Sequence, residues 1–335
     1  IQHAMNLKLQ DEAAFFAEYQ NEPLPEKGIE DEGLLTPDQI AGKLNGMKRG
    51  EVPIGANHLT MFIDVHGKLL FWLIAAWEDD FTGVVIDYGA YPDQKRQYFT
   101  LRDAQKTLQL VAKGAGLEGA IYAGLEALTG DYLNREWRRD DGAHLKIERC
   151  LIGANWGTST DVVYQFCRQS AHAAVLLPSH GRFVGATSRP FAEYKRKCGD
   201  RVGFNWRIPN VQGRRAIRHV LFDSNFWKSF IHARLAVPMG DRGCLSLFGR
   251  DAKAHRLLAE HLTSEYRIKA ESRGRVVDEW KQTPDKDNHW LDCVVGCAVA
   301  ASVCGAVLPG AEIATVKKRM SMSEMQRRRR ERRGA

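Results

Sequence analysis

Apolar and polar positions alternate in short blocks from Leu59 onward, each bounded by turn residues. In "LTMFIDVHG" (59–67), Met61, Ile63 and Val65 fall on one face of a strand, while Phe62, Asp64 and His66 fall on the other. "KLLFWLIAAWE" (68–78) is a longer, nearly continuous apolar run, and "GVVIDYG" (83–89) is a third. Short turns join the three, which predicts an antiparallel meander. Residues 101–128 predict helix, with Leu117, Ile121, Leu125 and Leu128 on one face and a break near Gly114 and Gly116. A strand over 145–152 runs into the turn Gly153–Gly157, followed by a helix over 160–170 and the strand "AAVLLP" (173–178). A right-handed crossover makes those two strands parallel. Residues 179–222 predict a basic, loop-like insertion. Beyond it, "HVLFDSNFWKSFIHARL" (219–235) predicts a short strand entering a helix. Finally, "DNHWLDCVVGCAVAASVCGAV" (287–307) predicts a small-residue helix capped by Asp287 or Asn288.

This element order fits an α/β, ribonuclease H-like fold. That fold is a mixed sheet, an antiparallel three-strand meander plus parallel strands, flanked by helices, with the fourth strand pairing in parallel with the first. The fold alone implies no chemistry. Residues 1–58 are expected to form an N-terminal arm or linker, broken by Pro23, Pro25, Pro37 and Pro53, with "DEAAFFAEYQ" as one short helix. The globular domain is expected over 59–310, with the basic insertion at 179–222, and a disordered basic tail over 311–335.

Charge sharpens this division. Of the 48 Lys and Arg and the 41 Asp and Glu, nine and two fall in 316–335, which leaves 39 of each in 1–315. The body is neutral, and the excess sits in a tail ending "RRRRERR", suited to a polyanion or an acidic partner. The seven cysteines are scattered without a C-x-x-C pair, which points to reduced thiols rather than a disulfide framework. The longest apolar run, Cys293 to Leu308, is rich in Ala, Gly and Ser and reads as a buried core helix, not a membrane span.

Two carboxylates stand out against apolar surroundings. Asp64 lies in the middle of the first strand, where a buried acid must be neutralised, hydrogen-bonded or bound to a cation. The bland alternative is an Asp bonded to the backbone at a strand end. Asp292 is the one acid within the final helix, one turn after His289, so both can face the same side. Its alternative is an acid favoured by the helix dipole. Two-metal phosphodiester hydrolysis needs hard oxygen ligands from separate elements, holding two Mg²⁺ or Mn²⁺ ions roughly 3.5–4 Å apart. Asp64 and Asp292 would be two of its three carboxylates. In this fold the third comes from the end of the fourth strand, which is position 153, and there the chain has glycine.

With these residues placed, the chain resembles the nuclease domain of a tailed-phage terminase large subunit. "FFAEYQNEP" (15–23) resembles the segment leading from the family's ATPase domain into the nuclease. "FIDVHGKLLFWLIAAW", "VVIDYG", "DVVYQFCRQS" and "NHWLDC" resemble its successive nuclease blocks. The resemblance implies a metal-dependent endonuclease that cuts concatemeric viral DNA in the host cytoplasm. Its partners would be double-stranded DNA, the small terminase subunit and the portal, with no membrane involved. Asp64 matches the first catalytic Asp and Asp292 the last. The family pattern at the end of the fourth strand is apolar–Asp–small–Gly/Asn–aromatic, and here it reads Ile152-Gly153-Ala154-Asn155-Trp156. Gly153 stands where the Asp belongs, so the resemblance implies an impaired site with a weakened second ion. The alternative is an inactive module that binds DNA or docks on a portal. No G-x-x-x-x-G-K-[ST] occurs, so nothing here cradles ATP phosphates.

Other residues compete for roles. Asp161 is a spare metal ligand or simply a first-turn helix acid, and Asn155 offers a neutral oxygen. His289 is a metal ligand, a proton donor to the leaving group or a satisfied core histidine. His289, Cys293 and Cys297 recur every four residues, but three ligands on one helix cannot close a zinc tetrahedron alone, so the cysteines read as core. For DNA contact the candidates are Lys195, Arg196 and Lys197 in "YKRK", and Arg214, Arg215 and Arg218 in "GRRAIRH". Such side chains would neutralise phosphates without reading sequence.

Overall fold

Strand β1 (His58–Val65) is the axis of the domain. In the computed structural model, which describes residues 34–307 apart from 158, 213–216 and 273, β1 pairs antiparallel with β2 (Leu70–Trp77). On its other side it pairs in parallel with β6 (Arg149–Gly153). β2 continues antiparallel to β3 (Gly83–Tyr91), which completes the expected meander. The helix α1 (Pro37–Ala41) precedes β1, and between meander and β6 come the helices α2 (Leu108–Val111) and α3 (Gly116–Leu133) and a small pair, β4 (Trp137–Arg138) with β5 (His144–Leu145). After β6 the chain forms α4 (Thr160–Gln169) and β7 (Leu176–Arg182), and β7 is parallel to β6 as the crossover requires.

The remainder extends the sheet at both ends. β8 (Arg201–Gly203), β9 (Trp206–Ile208) and β10 (Val220–Asp223) add beyond β7, and β10 leads into α5 (Ser224–Ala236). β11 (Leu245–Leu247) returns to pair with β3, so the nine-stranded order is β11-β3-β2-β1-β6-β7-β10-β9-β8. α6 (Arg256–Leu262), the hairpin β12 (Glu265–Ser272) and β13 (Arg275–Gln282), and α7 (His289–Cys304) complete the domain. The mixed sheet, with its first strand flanked by an antiparallel meander and a parallel fourth strand, is the ribonuclease H-like arrangement.

Burial follows the strand pattern. Met61, Ile63 and Val65 enter one core, with α3 and α4, while Phe62 enters the other, under α7. α7 lies directly on β1 and β2: Thr60 donates to the Cys297 carbonyl at 3.0 Å, and the thiol of Cys297 donates to the Leu73 carbonyl at 3.3 Å. Gly296 permits that approach, because a Cβ there would run into the ring of Phe62. The small-residue helix is therefore apolar all round because it is covered all round.

Several expectations shift. Residues 101–107 are not helical, and the break at Gly114 and Gly116 separates α2 from α3. The basic insertion is not merely loop, since β7 runs on to Arg182 and β8 and β9 extend the sheet. Residues 35–57, expected within the arm, are seated on the domain: Ile40 and Val52 are fully buried, and Leu44 bridges to Leu247. The compact unit accordingly starts at Leu35. The helix "DEAAFFAEYQ" and the tail fall outside the described residues. No helix among the described residues is long and apolar enough to cross a membrane.

Candidate metal and DNA cleft

A cavity of about 390 Å³ opens at the C-terminal ends of β1 and β6, where it meets the start of α7. It is lined by Asp64, His289, Asp292 and Gly153 together. Each arrives for a local reason. Asp64 occupies the penultimate position of β1, on the face opposite Ile63 and Val65. Gly153 ends β6, whose register sets Ile152 beside Ile63. His289 and Asp292 share one side of the first turn of α7.

Gly153 is not demanded by its backbone, which lies outside the left-handed region. A Cβ there would stand 3.3 Å from Oδ1 of Asp64 and 3.6 Å from the Ile63 carbonyl. A side chain at 153 would therefore enter the cavity against Asp64, as the third ligand of a carboxylate site must.

Each of the two acids has a cationic or proton-sharing partner. Nδ1 of His289 is 2.7 Å from Oδ2 of Asp64, and the imidazole stacks on Phe71 with centroids 4.3 Å apart. Burial opposes charge on His289, but the hydrogen bond and charge of Asp64, helped by Asp287 and Asp292, raise its pKa above the ordinary value. Oδ1 of Asp292 is 3.6 Å from the ammonium of Lys228, a residue of α5. Lys228 is held more closely by Glu265, at 2.5 and 2.7 Å from its two oxygens, and Asn288 donates to Glu265 at 2.8 Å. The Glu265 side chain is only 2 % exposed, so its charge requires that partner. Loss of water raises the Asp292 carboxyl first, and Asp64 and Glu265 add to this against the pull of Lys228. For Lys228, burial works against the charge, but Asp292 and Glu265 outweigh it and raise its pKa.

Not every candidate joins the cavity. Asp161 lies exposed in the first turn of α4 and does not line it, so it does not replace the acid absent at 153. Asn155 does line it, but its oxygen faces His180 and not Asp64. Cys293 and Cys297 are buried and bond backbone carbonyls, as core residues do. Lys195, Arg196, Lys197 and Arg218 are exposed on the insertion, while Arg214 and Arg215 are outside the described residues. The insertion is rooted at the cavity, since Ser179 and Gly181 at one end and Phe222 at the other form its wall.

Lys228 and Glu265 were not singled out in the sequence. Lys228 carried a signal, being the lone cation of "SNFWKSFI" among Phe226, Trp227, Phe230 and Ile231. Glu265, the first residue of a polar hairpin, carried none. His66, just past the end of β1, has its ring stacked with Trp156 at 5.6 Å, and its Nδ1 is buried without a hydrogen-bond partner among the described residues.

The residues present do not fit a two-ion centre. Asp64 and Asp292 are hard oxygen donors, but the third is missing. Among the described residues, no group of three or more His, Cys, Asp or Glu side chains is arranged to hold a metal ion.

A mutant nuclease domain of the large terminase subunit gp2 of bacterial virus Sf6, with manganese, is similar in structure at 12% identity. That match has a TM-score of 0.40 and covers 78% of this chain and 97% of the other. No curated protein matches the chain. Residues 7–308 match the family described as the terminase large subunit gpA, endonuclease domain. The chain belongs to that family of phage DNA-packaging nucleases.

Proposed function

We propose that this domain is a divalent-metal-dependent DNA endonuclease that cuts concatemeric viral DNA during packaging, and that Gly153 impairs it. The observation that carries this reading is the convergence of Asp64, Asp292 and the side-chain direction of position 153 on one cavity. Asp64 and Asp292 would hold a Mg²⁺ or Mn²⁺ ion, which when bound supplies an activated water and charge stabilisation at the phosphate. A second ion would need a carboxylate at position 153, where Gly153 offers no side chain. His289 keeps Asp64 oriented, and Lys228 does the same for Asp292. By family, the partners are double-stranded DNA, the small terminase subunit and the portal, and the place of action is the host cytoplasm. The insertion residues Lys195, Arg196, Lys197 and Arg218, with Arg214 and Arg215, would follow the phosphates of DNA reaching the cavity.

Nicking of supercoiled plasmid in Mn²⁺ tests this directly. The parent chain should cut slowly, and Gly153→Asp should cut on the order of 10²-fold faster, each tenfold being roughly 1.4 kcal/mol of transition-state stabilisation. Equal inertness of both chains, with no metal bound by either, would overturn the nuclease reading. A second reading, an inactive DNA-binding or portal-docking module, draws on the same pairs: Lys228 and His289 already partner the two acids. DNA binding by the parent with no cutting by either chain would favour it.

A further inference from the structure

The β6–α4 side of the cavity carries a second polar array, distinct from the carboxylates. The Asn155 side chain is anchored at both ends: Nδ2 donates to the Gly181 carbonyl at 2.9 Å, and Oδ1 lies 3.1 Å from Nδ1 of His180. Nε2 of His180 lies 2.8 Å from the Tyr164 hydroxyl. For a neutral imidazole, only one arrangement of protons satisfies all three contacts. A carbonyl accepts and never donates, so the amide nitrogen faces Gly181 and the amide oxygen faces His180. That oxygen is also only an acceptor, so His180 carries its proton on Nδ1, and Nε2 accepts from Tyr164. The donors therefore run one way, from Tyr164 through His180 and Asn155 to Gly181. The neutral imidazole is the favoured form, since burial first, then His219 and Arg182, hold His180 down at about 4.

Two consequences follow for the cavity. The Asn155 oxygen is committed to His180, so it is no substitute for a carboxylate at 153. The second N–H of its amide has no partner among the described residues, on an exposed side chain that lines the cavity. Gly153 contributes no side chain to this wall, and the Trp156 ring stacks with His66. We infer that Asn155 is a DNA-backbone donor, giving this N–H to a non-bridging phosphate oxygen, and that His180 and Tyr164 are the residues that position it. A neutral donor suits this wall, because it holds an anionic oxygen without pairing with Asp64. The inference rests on the proposed reading of the cavity as a DNA cleft.

Anisotropy titration of a short duplex DNA at fixed salt, with metal chelated, tests it in the full chain. Asn155→Ala should weaken binding about tenfold, the value of a hydrogen bond to a charged group. His180→Ala should weaken it less, and His180→Gln, which keeps one donor and one acceptor, should recover most of that loss. Tyr164→Phe should move binding in the same direction as His180→Ala. Nitrogen NMR of the DNA-free parent should find the His180 proton on Nδ1. If the parent binds no DNA, the cleft reading fails and this inference with it. If the parent binds and Asn155→Ala binds equally well, or the proton lies on Nε2, only the inference fails.

Discussion

The Cβ that Gly153 lacks would lie 3.3 Å from Oδ1 of Asp64, close enough that any acid at 153 must share that oxygen's surroundings. Without a cation, two carboxylates so placed repel each other; with one, they become ligands. Gly153→Asp should therefore lower the metal-free unfolding midpoint by several degrees, on the order of 1–2 kcal/mol of solvent-screened repulsion. Added Mn²⁺ should return the midpoint to the parent value or above, by mass action on the folded state. Differential scanning with and without Mn²⁺ reads both changes. A midpoint indifferent to the ion would show that position 153 does not face a metal site.

Lys228 neutralises Glu265 in nearly complete burial, with side-chain exposures of 12% and 2%. Lys228→Met leaves that carboxylate buried without its cation and should cost about 3–5 kcal/mol. Adding Glu265→Gln should restore most of it, because the remaining amide is neutral and still bonds Asn288. Denaturant melts of the two single variants and the double variant give the coupling directly. Simple additivity would mean the pair contributes no interaction of its own.

Two histidines give stability opposite dependences on pH. His289 is raised by Asp64, so its contribution is complete below 6.5, the unfolded value, and disappears as pH rises through the higher folded value. His261 is held down at about 3, by burial first and then by His289. It must stay neutral, so its contribution is complete above 6.5 and is lost as pH falls toward 3. Melting across this range should show a decline on both sides. His289→Gln should flatten the alkaline side, and His261→Asn, whose oxygen can still accept from the Trp290 backbone N–H that bonds the imidazole, the acid side. Unchanged slopes in these variants would assign the dependence to other groups.

Gly296 sits where α7 crosses Phe62. Gly296→Ala gains intrinsic helix propensity of roughly 1 kcal/mol, yet it drives a methyl into a buried ring. The steric effect should win, with net destabilisation of about 1–3 kcal/mol by chemical denaturation. It should also displace Asp292 from Asp64, and so weaken Mn²⁺ binding in the Gly153→Asp background. A more stable variant would mean that the helix lifts off the sheet without difficulty.

The elements around the cavity were legible in the chain, because their periodicity is strong. The alternation of "LTMFIDVHG" placed Asp64 on the face opposite Met61, Ile63 and Val65, and α7 begins and ends close to where its apolar run does. Asp64 and Asp292 drew notice because each is a charge with no local reason to be there. The hairpin β12–β13 and the short strand β11 went unseen, since half-exposed alternation and three-residue segments carry little signal. The seating of 35–57 on the domain was not legible, because Ile40 and Val52 are isolated apolar residues whose burial depends on distant partners.

By itself, then, the sequence determined the strand and helix periods, the order of the sheet's first strands, and the lone acids that line the cavity. Those are properties of neighbours along the chain. Tertiary structure alone decided that Lys228 and Glu265 stand behind Asp292, that His289 shares a proton with Asp64, and that Asn155 turns its oxygen to His180. Each of these joins residues from different elements, and whether a buried charge or amide is satisfied depends on what the fold brings within about 3 Å of it.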